Sequence, residues 1–153
     1  PYIGIAWKSS KMLFERLPNY SSLSEWSKIL SIPDVTFINL QYKDYEDDLA
    51  KVKDEFGVTV HNFEDLDHWN NIDDVAALCS ALDMVTTNHG TVPLISAAVG
   101  TSTKLANWKQ SPWNTILNNP RGASVDIFER NTSEPWENVF NLIREDIIKL
   151  NQN

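Results

Sequence analysis

TTNHGTVPLISAAVG, Thr86 to Gly100, reads as the end of a strand, a tight turn at Gly90 and a short helix closed by a second glycine. The start of a helix leaves backbone N–H groups unpaired and carries a partial positive charge. A turn that lets an anion approach there makes a phosphate cradle. One glycine beside a threonine falls short of a full dinucleotide or phosphate-loop fingerprint, and many turns between a strand and a helix hold nothing. The stretch therefore sets a local pattern, strand then helix, and the rest of the chain shows how often it repeats.

Upstream, YIGIAW (Tyr2–Trp7) is a short apolar run rich in β-formers, followed by a long polar loop. Ser22 and Glu25 match a capping box, and Leu23, Trp26 and Leu30 share one helical face until Pro33. VTFINL (Val35–Leu40) reads as a second buried strand, Glu46 to Phe56 as a polar helix stopped by Gly57, and Val58 and Val60 as part of a third strand. Asn71 is placed to cap a helix in which Ile72, Val75, Cys79 and Leu82 keep the 3.6-residue period, and MVTT then leads into the opening stretch. Downstream, TSTKLA and VDIF add strands, separated by a loop-like segment from Asn107 to Ser124. Ser133 is expected to cap a last helix with Pro135 in its first turn and Trp136, Val139, Phe140, Ile143, Ile147 and Leu150 on its buried side. Strands alternating with helices imply βαβ units and a parallel sheet, hence a Rossmann-like three-layer α/β/α domain. No internal repeat, low-complexity tract or linker interrupts it, so residues 1–153 are read as a single domain.

Composition narrows the class. A chain of 153 residues can bury a full core without disulfides or metal. Its formal charge of −8 argues against a surface for nucleic-acid backbones or anionic membranes. Cys79 is the sole cysteine and falls among apolar residues, which suggests packing and permits a reducing compartment. No apolar run approaches the ~18 residues of a membrane span, and no signal-peptide pattern opens the chain, so a cytoplasmic location is expected. A start at Pro1 rather than Met suggests an excised fragment.

In an open parallel sheet the ligand lies beyond the carboxyl ends of the strands, here the loops after Trp7, Leu40, Thr87 and Ala106. Lys8, Ser9 and Ser10 put a cation and two hydroxyls at that edge, with Lys11 and Arg16 following, a set that suits a diphosphate or simply a polar loop. Gln41 and Tyr42 can offer an amide and a ring to a nucleoside, or pack the turn. His89 has the chemistry of a phosphate donor or an acid–base group, and of an ordinary turn residue. His61, His68 and Cys79 lack the close spacing of a zinc site, and no metal is expected. The acidic stretch DYEDDL (Asp44–Leu49) reads as a solvated helix face, and neither a nucleophile elbow nor a CxxC pair is present.

IGIAWKSS (Ile3–Ser10), FINLQY (Phe37–Tyr42), the FGV turn (Phe56–Val58), IDDVAALCSALDMV (Ile72–Val85), the AAVG helix end (Ala97–Gly100), SPW (Ser111–Trp113) and the later PW (Pro135–Trp136) occur together and in order. In that order and spacing the chain, from Tyr2 to Leu150, resembles the carboxyl-terminal half of bacterial GT-B glycosyltransferases, in the heptosyltransferase-like group often attached to tetratricopeptide repeats. The resemblance implies a half that binds a nucleotide-sugar donor, with the acceptor side and the catalytic base on an amino-terminal half absent from this sequence. It implies that Lys8 and Ser9 approach the donor phosphates, that Gln41 and Tyr42 flank the nucleoside, and that Gly90 and Thr91 present the helix mouth to the diphosphate. Transfer of this kind generally needs no metal, because cationic groups and a helix dipole carry the leaving phosphate charge. Three positions depart from the pattern. Relatives usually have an acidic residue and then Thr or Asn at the turn, with a His a few residues on. This chain has His89, Gly90 and Leu94 there. A nucleotide-binding module without catalysis and a protein-interaction scaffold therefore stand beside the enzyme reading.

Overall fold

The computed structural model describes residues 1–9, 14–111 and 125–152, with the backbone alone for residues 14–16. Its elements run β1 (Tyr2–Ala6), α1 (Ser27–Leu30), β2 (Thr36–Asn39), α2 (Glu46–Phe56), β3 (Val60–His61), α3 (Ile72–Ser80), β4 (Met84–Asn88), α4 (Val92–Ala98), β5 (Thr103–Trp108), β6 (Val125–Arg130) and α5 (Glu137–Asn151). The six strands form one all-parallel sheet in the order β3-β2-β1-β4-β5-β6. That is the Rossmann order, with helices on both faces, as the alternation of strands and helices predicts.

Strand alternation builds two cores. Odd-numbered positions of β1 and β2, Ile3, Ile5 and Phe37, with Trp7 just past β1, face α1, α2 and α5 and join Trp26, Phe140, Ile143 and Ile147 in one large cluster. Even-numbered positions, Ala6, Ile38 and Leu40, face α3 and α4 and pack with Val75, Cys79, Leu82 and Val92. Cys79 is fully buried there, and burial pushes its thiol up to about 11, consistent with a packing role. Gly4 in β1 has no room for a side chain, since a Cβ would meet Leu40 Cδ1 at 2.5 Å and Leu82 Cδ1 at 2.7 Å.

Glycines close two helices as expected. Gly57, at φ 67°, ends α2 with its N–H on the Lys53 carbonyl. Gly100, at φ 81°, ends α4 in a Schellman motif: its own N–H bonds Ala97 O and the Thr101 N–H bonds Ser96 O. The Ser22–Glu25 capping box is present, but it opens a 3-10 turn, Leu23–Trp26, that runs directly into α1. Asn71 caps α3, accepting from the Asp74 N–H, whereas Ile72 is 55% exposed rather than core.

The expected cap at Ser133 is not the one that forms. Helix α5 begins after Trp136, because Asn131 and Glu134 close a turn of their own and the Arg130 guanidinium binds the carbonyls of Asn131, Thr132 and Glu134. Those carbonyls point at a cation instead of up a helix. Among the described residues no helix is long and apolar enough to cross a membrane.

Candidate functional site at the strand-order reversal

The chain runs outward from β1 to β2 and β3 on one side and from β4 to β5 and β6 on the other, so the order reverses between β1 and β4. Diverging connections leave a crevice at the carboxyl ends of these strands. The residues that meet there come from Trp7–Ser9, Leu40–Lys43, His68–Ile72 and His89–Ile95.

Two buried side-chain amides fix the crevice wall. Gln41 Oε1 accepts from the backbone N–H of Trp7 (3.2 Å) and Lys8 (3.1 Å), and the Gln41 N–H donates to Asn39 Oδ1 at 2.9 Å. Asn39 Nδ2 in turn donates to Gln41 O and to Asn62 Oδ1. The exits of β1, β2 and β3 are thereby tied together, and Gln41 acts as a strut between strands. Its Nε2 is buried with no hydrogen-bond partner among the described residues. On the other side Asn88, at the end of β4, accepts from Ser21 Oγ at 2.7 Å and donates to Ala106 O, while Trp26 Nε1 donates to Ser21 Oγ. Each link satisfies a buried polar group that would otherwise cost about 1–3 kcal/mol.

Lys8 lies at the edge the sequence suggests, yet its ammonium is engaged. It donates to Asp48 Oδ2 at 2.6 Å and to the Asp44 carbonyl at 2.6 Å, the latter at a residue with φ 51°. Trp7 Nε1 shares the same Asp48 oxygen at 2.8 Å. Asp48 thus departs from the solvated acidic face expected of DYEDDL and holds the first turn of α2 against the end of β1. Ser9 Oγ lies 3.1 Å from the Tyr42 hydroxyl. Ser10 and Lys11 lie outside the described residues, and so does the Arg16 side chain, whose backbone belongs to a 3-10 helix, Phe14–Asn19.

Tyr42 and Thr91 are the predicted residues that meet at one cavity. A hollow of about 210 Å³ opens between the loop after β2, the approach to α3 and the start of α4. Leu40, Val75 and Val92 form its buried base, and Tyr42, His68, Trp69 and Thr91 its rim. The Tyr42 and Trp69 rings meet at 5.3 Å between centroids, and Lys43 Nζ sits 3.8 Å from the Trp69 ring centre, a cation–π contact. His68 Nε2 lies 3.2 Å from the Asn39 carbonyl, and because a carbonyl only accepts, this nitrogen carries the proton. Burial lowers the His68 pKa, partly offset by that hydrogen bond, so the imidazole is neutral at pH 7 and one ring nitrogen is an acceptor.

The mouth of α4 is narrower than the sequence suggests. Thr91 occupies the N-cap position in helical conformation and its side chain makes no cap bond. Pro93 has no N–H, and the Leu94 N–H is taken by Thr91 O at 3.1 Å, which leaves Thr91 and Val92 as the helix-start donors. His89 and Gly90 are half-buried beside them. Gly90 lacks a positive φ, and a Cβ added there would meet nothing within 4 Å, so its turn does not require glycine and its surface is open to approach.

Trp69, Asn39 and Lys43 escaped the sequence reading, and His68 entered it only as a rejected zinc ligand. The available signal was DLDHWNN, an aromatic and polar segment just beyond a two-residue strand and hence on the carboxyl edge.

No family model matches the chain. It is 41% identical over 101 residues to Protein FlbA of Caulobacter vibrioides, an alignment covering 66% of this chain. The chain spans only 17% of the length of that relative.

Proposed function

We propose that this domain is the donor-binding half of a glycosyltransferase of the GT-B kind, taking a nucleotide-sugar and working with an amino-terminal acceptor-side domain in the cytoplasm. The observation that carries the reading is the aromatic-rimmed hollow beside the start of α4, at the point where the strand order reverses. An apolar base with a few convergent polar groups suits a nucleoside, and the adjoining helix start suits the diphosphate. In this reading the base lies against Tyr42 and Trp69, the neutral His68 ring and the Thr91 hydroxyl offer hydrogen bonds, and the phosphates approach Gly90 and the N–H groups of Thr91 and Val92. The charge of the leaving diphosphate is then met by the helix start, by Lys43 and His89 nearby, and by Lys8 if it exchanges Asp48 for phosphate. No metal is required for this chemistry.

Titration calorimetry with UDP, ADP and GDP tests the reading. Half of a two-domain cleft leaves much of the ligand exposed, so dissociation constants of roughly millimolar order are expected for the preferred base. Tyr42→Ala is expected to abolish the measurable heat with little change in melting temperature. No heat from a folded sample with any of the three removes the proposal. One observation favours a nucleotide-binding module without catalysis: Lys8 is already neutralised by Asp48. Under that second reading the nucleoside diphosphates bind, but the longer protein releases no nucleotide from any sugar donor.

A further inference from the structure

A second hollow, of about 310 Å³, lies on the outer flank of α3, away from the nucleoside cavity and beside the β3 edge of the sheet. Phe63, Leu66 and Leu78 line it, with Asp65 and Asp74 on its rim. Phe63 is 51% exposed, and Leu66 and Leu78 are only partly covered by the core beneath them. An isolated exposed phenylalanine is ordinary, but one that completes an apolar hollow with two half-covered leucines leaves a contiguous apolar patch in water.

The segments that line this patch carry charge of one sign. From Asp54 to Thr103 the sequence contains no Lys or Arg, while Glu64, Asp65, Asp67, Asp73 and Asp74 fall within a dozen residues of one another. Asp67 is turned to its own loop, where bonds from the Asn70 side chain and from the Asn70 and Trp69 N–H groups lower its pKa and keep it ionised. Asp74 also accepts from the Asn71 side chain at the start of α3. Asp65 makes no side-chain hydrogen bond or ion pair among the described residues. On the opposite face of the sheet Lys104 pairs with Asp126 and Asp146.

We propose that the Phe63–Leu66–Leu78 hollow is a docking site for a cationic polypeptide segment, one that inserts a large apolar side chain between these residues and sets Lys or Arg against Asp65 and Asp74. Charge complementarity selects this occupant. A second copy of the chain would bring the same carboxylates into contact, and an anionic surface would be repelled. The apolar anchor supplies most of the affinity, and the acidic rim steers encounter and sets orientation.

The probe is a synthetic amphipathic peptide of Leu and Lys with one apolar helical face, compared with a scrambled peptide of the same composition. Binding to the 153-residue chain is followed by fluorescence anisotropy at low and at physiological salt. The amphipathic peptide is expected to bind about tenfold more tightly than the scrambled one, since only it presents an ordered anchor. Phe63→Ser is expected to erase that preference, and Asp65→Asn with Asp74→Asn to weaken both peptides and flatten the salt dependence. Melting temperatures establish that each variant is folded, and Leu78→Ser replaces Phe63→Ser if the latter is not. Equal binding of the two peptides, or a preference unchanged by the substitutions, overturns the proposal. So does concentration-dependent self-association of the free protein that Phe63→Ser abolishes, because the occupant is then a second copy. None of these outcomes bears on nucleotide binding.

Discussion

The two faces of the sheet are packed to different depths. The face covered by α1, α2 and α5 is thick, with Phe140 packed against Trp26 and Trp136 at centroid separations of 5.0 and 5.8 Å. Its buried cation, Lys104, is held by Asp126 and Asp146. The face covered by α3 and α4 has a smaller buried cluster and leaves Trp69, Ile72, Phe63 and Leu94 exposed. Its two helices are short, and the Tyr42–Trp69 cavity and the Phe63 hollow both open along it. Apolar surface left uncovered stabilises nothing within the chain, and this face carries more of it than the other, where Leu142 of α5 is 51% exposed.

The largest effect should come from the thick face. Phe140→Ala removes a ring fully buried between two tryptophans and is expected to cost about 3–5 kcal/mol in chemical denaturation. Val75→Ala under α3 should cost about 1–2 kcal/mol, the transfer energy of two methyl groups. Comparable losses would mean that the second face is as strongly packed as the first.

Gly4→Val tests a place where the thin face is tight. The added atoms run into Leu40 and Leu82, and overpacking of this kind is expected to cost about 1–3 kcal/mol. Gly90→Ala, at a turn with open space and no positive φ, should stay within about 0.5 kcal/mol of wild type. A large loss at Gly90 would show that the turn needs glycine after all.

Lys104→Met is expected to cost about 1–2 kcal/mol at neutral pH, because Asp146 keeps Lys149 as a second partner at 3.0 Å. The pH dependence follows from both shifts. Burial opposes the charge on Lys104, but bonds to the two carboxylates outweigh it and raise its pKa, so its contribution is present at neutral pH and lost as pH rises through the raised value. Burial opposes the charge on Asp146, but bonds from Lys149 and Lys104 outweigh it and lower its pKa, so its contribution is present above the ordinary carboxylate range and lost as pH falls through the lowered value. Wild type should therefore lose stability at both ends of the pH range, and Lys104→Met should show a smaller drop at the alkaline end.

Much of the scaffold was legible in the sequence, because it is fixed by local chemistry. Gly57 and Gly100 take left-handed conformations that end helices, Asn71 caps, and the apolar run YIGIAW forms a buried strand. Ser133 misled because Arg130, reaching across to the Pro18 carbonyl as well as its own loop, outcompetes a local cap. Ile72 misled because the helical period marks a side of α3 without saying how far the neighbouring layer extends. The candidate site was legible only in part. Tyr42 and Thr91 fall at its rim, but the cavity exists because they meet His68 and Trp69 from a third loop, and such meetings depend on strand order. Nor could spacing show that Lys8 finds Asp48, forty residues away.

We propose that the hollow between Tyr42, Trp69 and the start of α4 receives the nucleoside of a nucleoside diphosphate. A heteronuclear NMR titration with UDP, ADP and GDP addresses it directly, with the Trp69 indole N–H as reporter. The account predicts shifts for that indole, for the backbone of Tyr42 and His68 and for Gly90, Thr91 and Val92, all saturating together and all lost in Trp69→Ala. Shifts confined to the opposite face, or none with any of the three nucleotides, would contradict it.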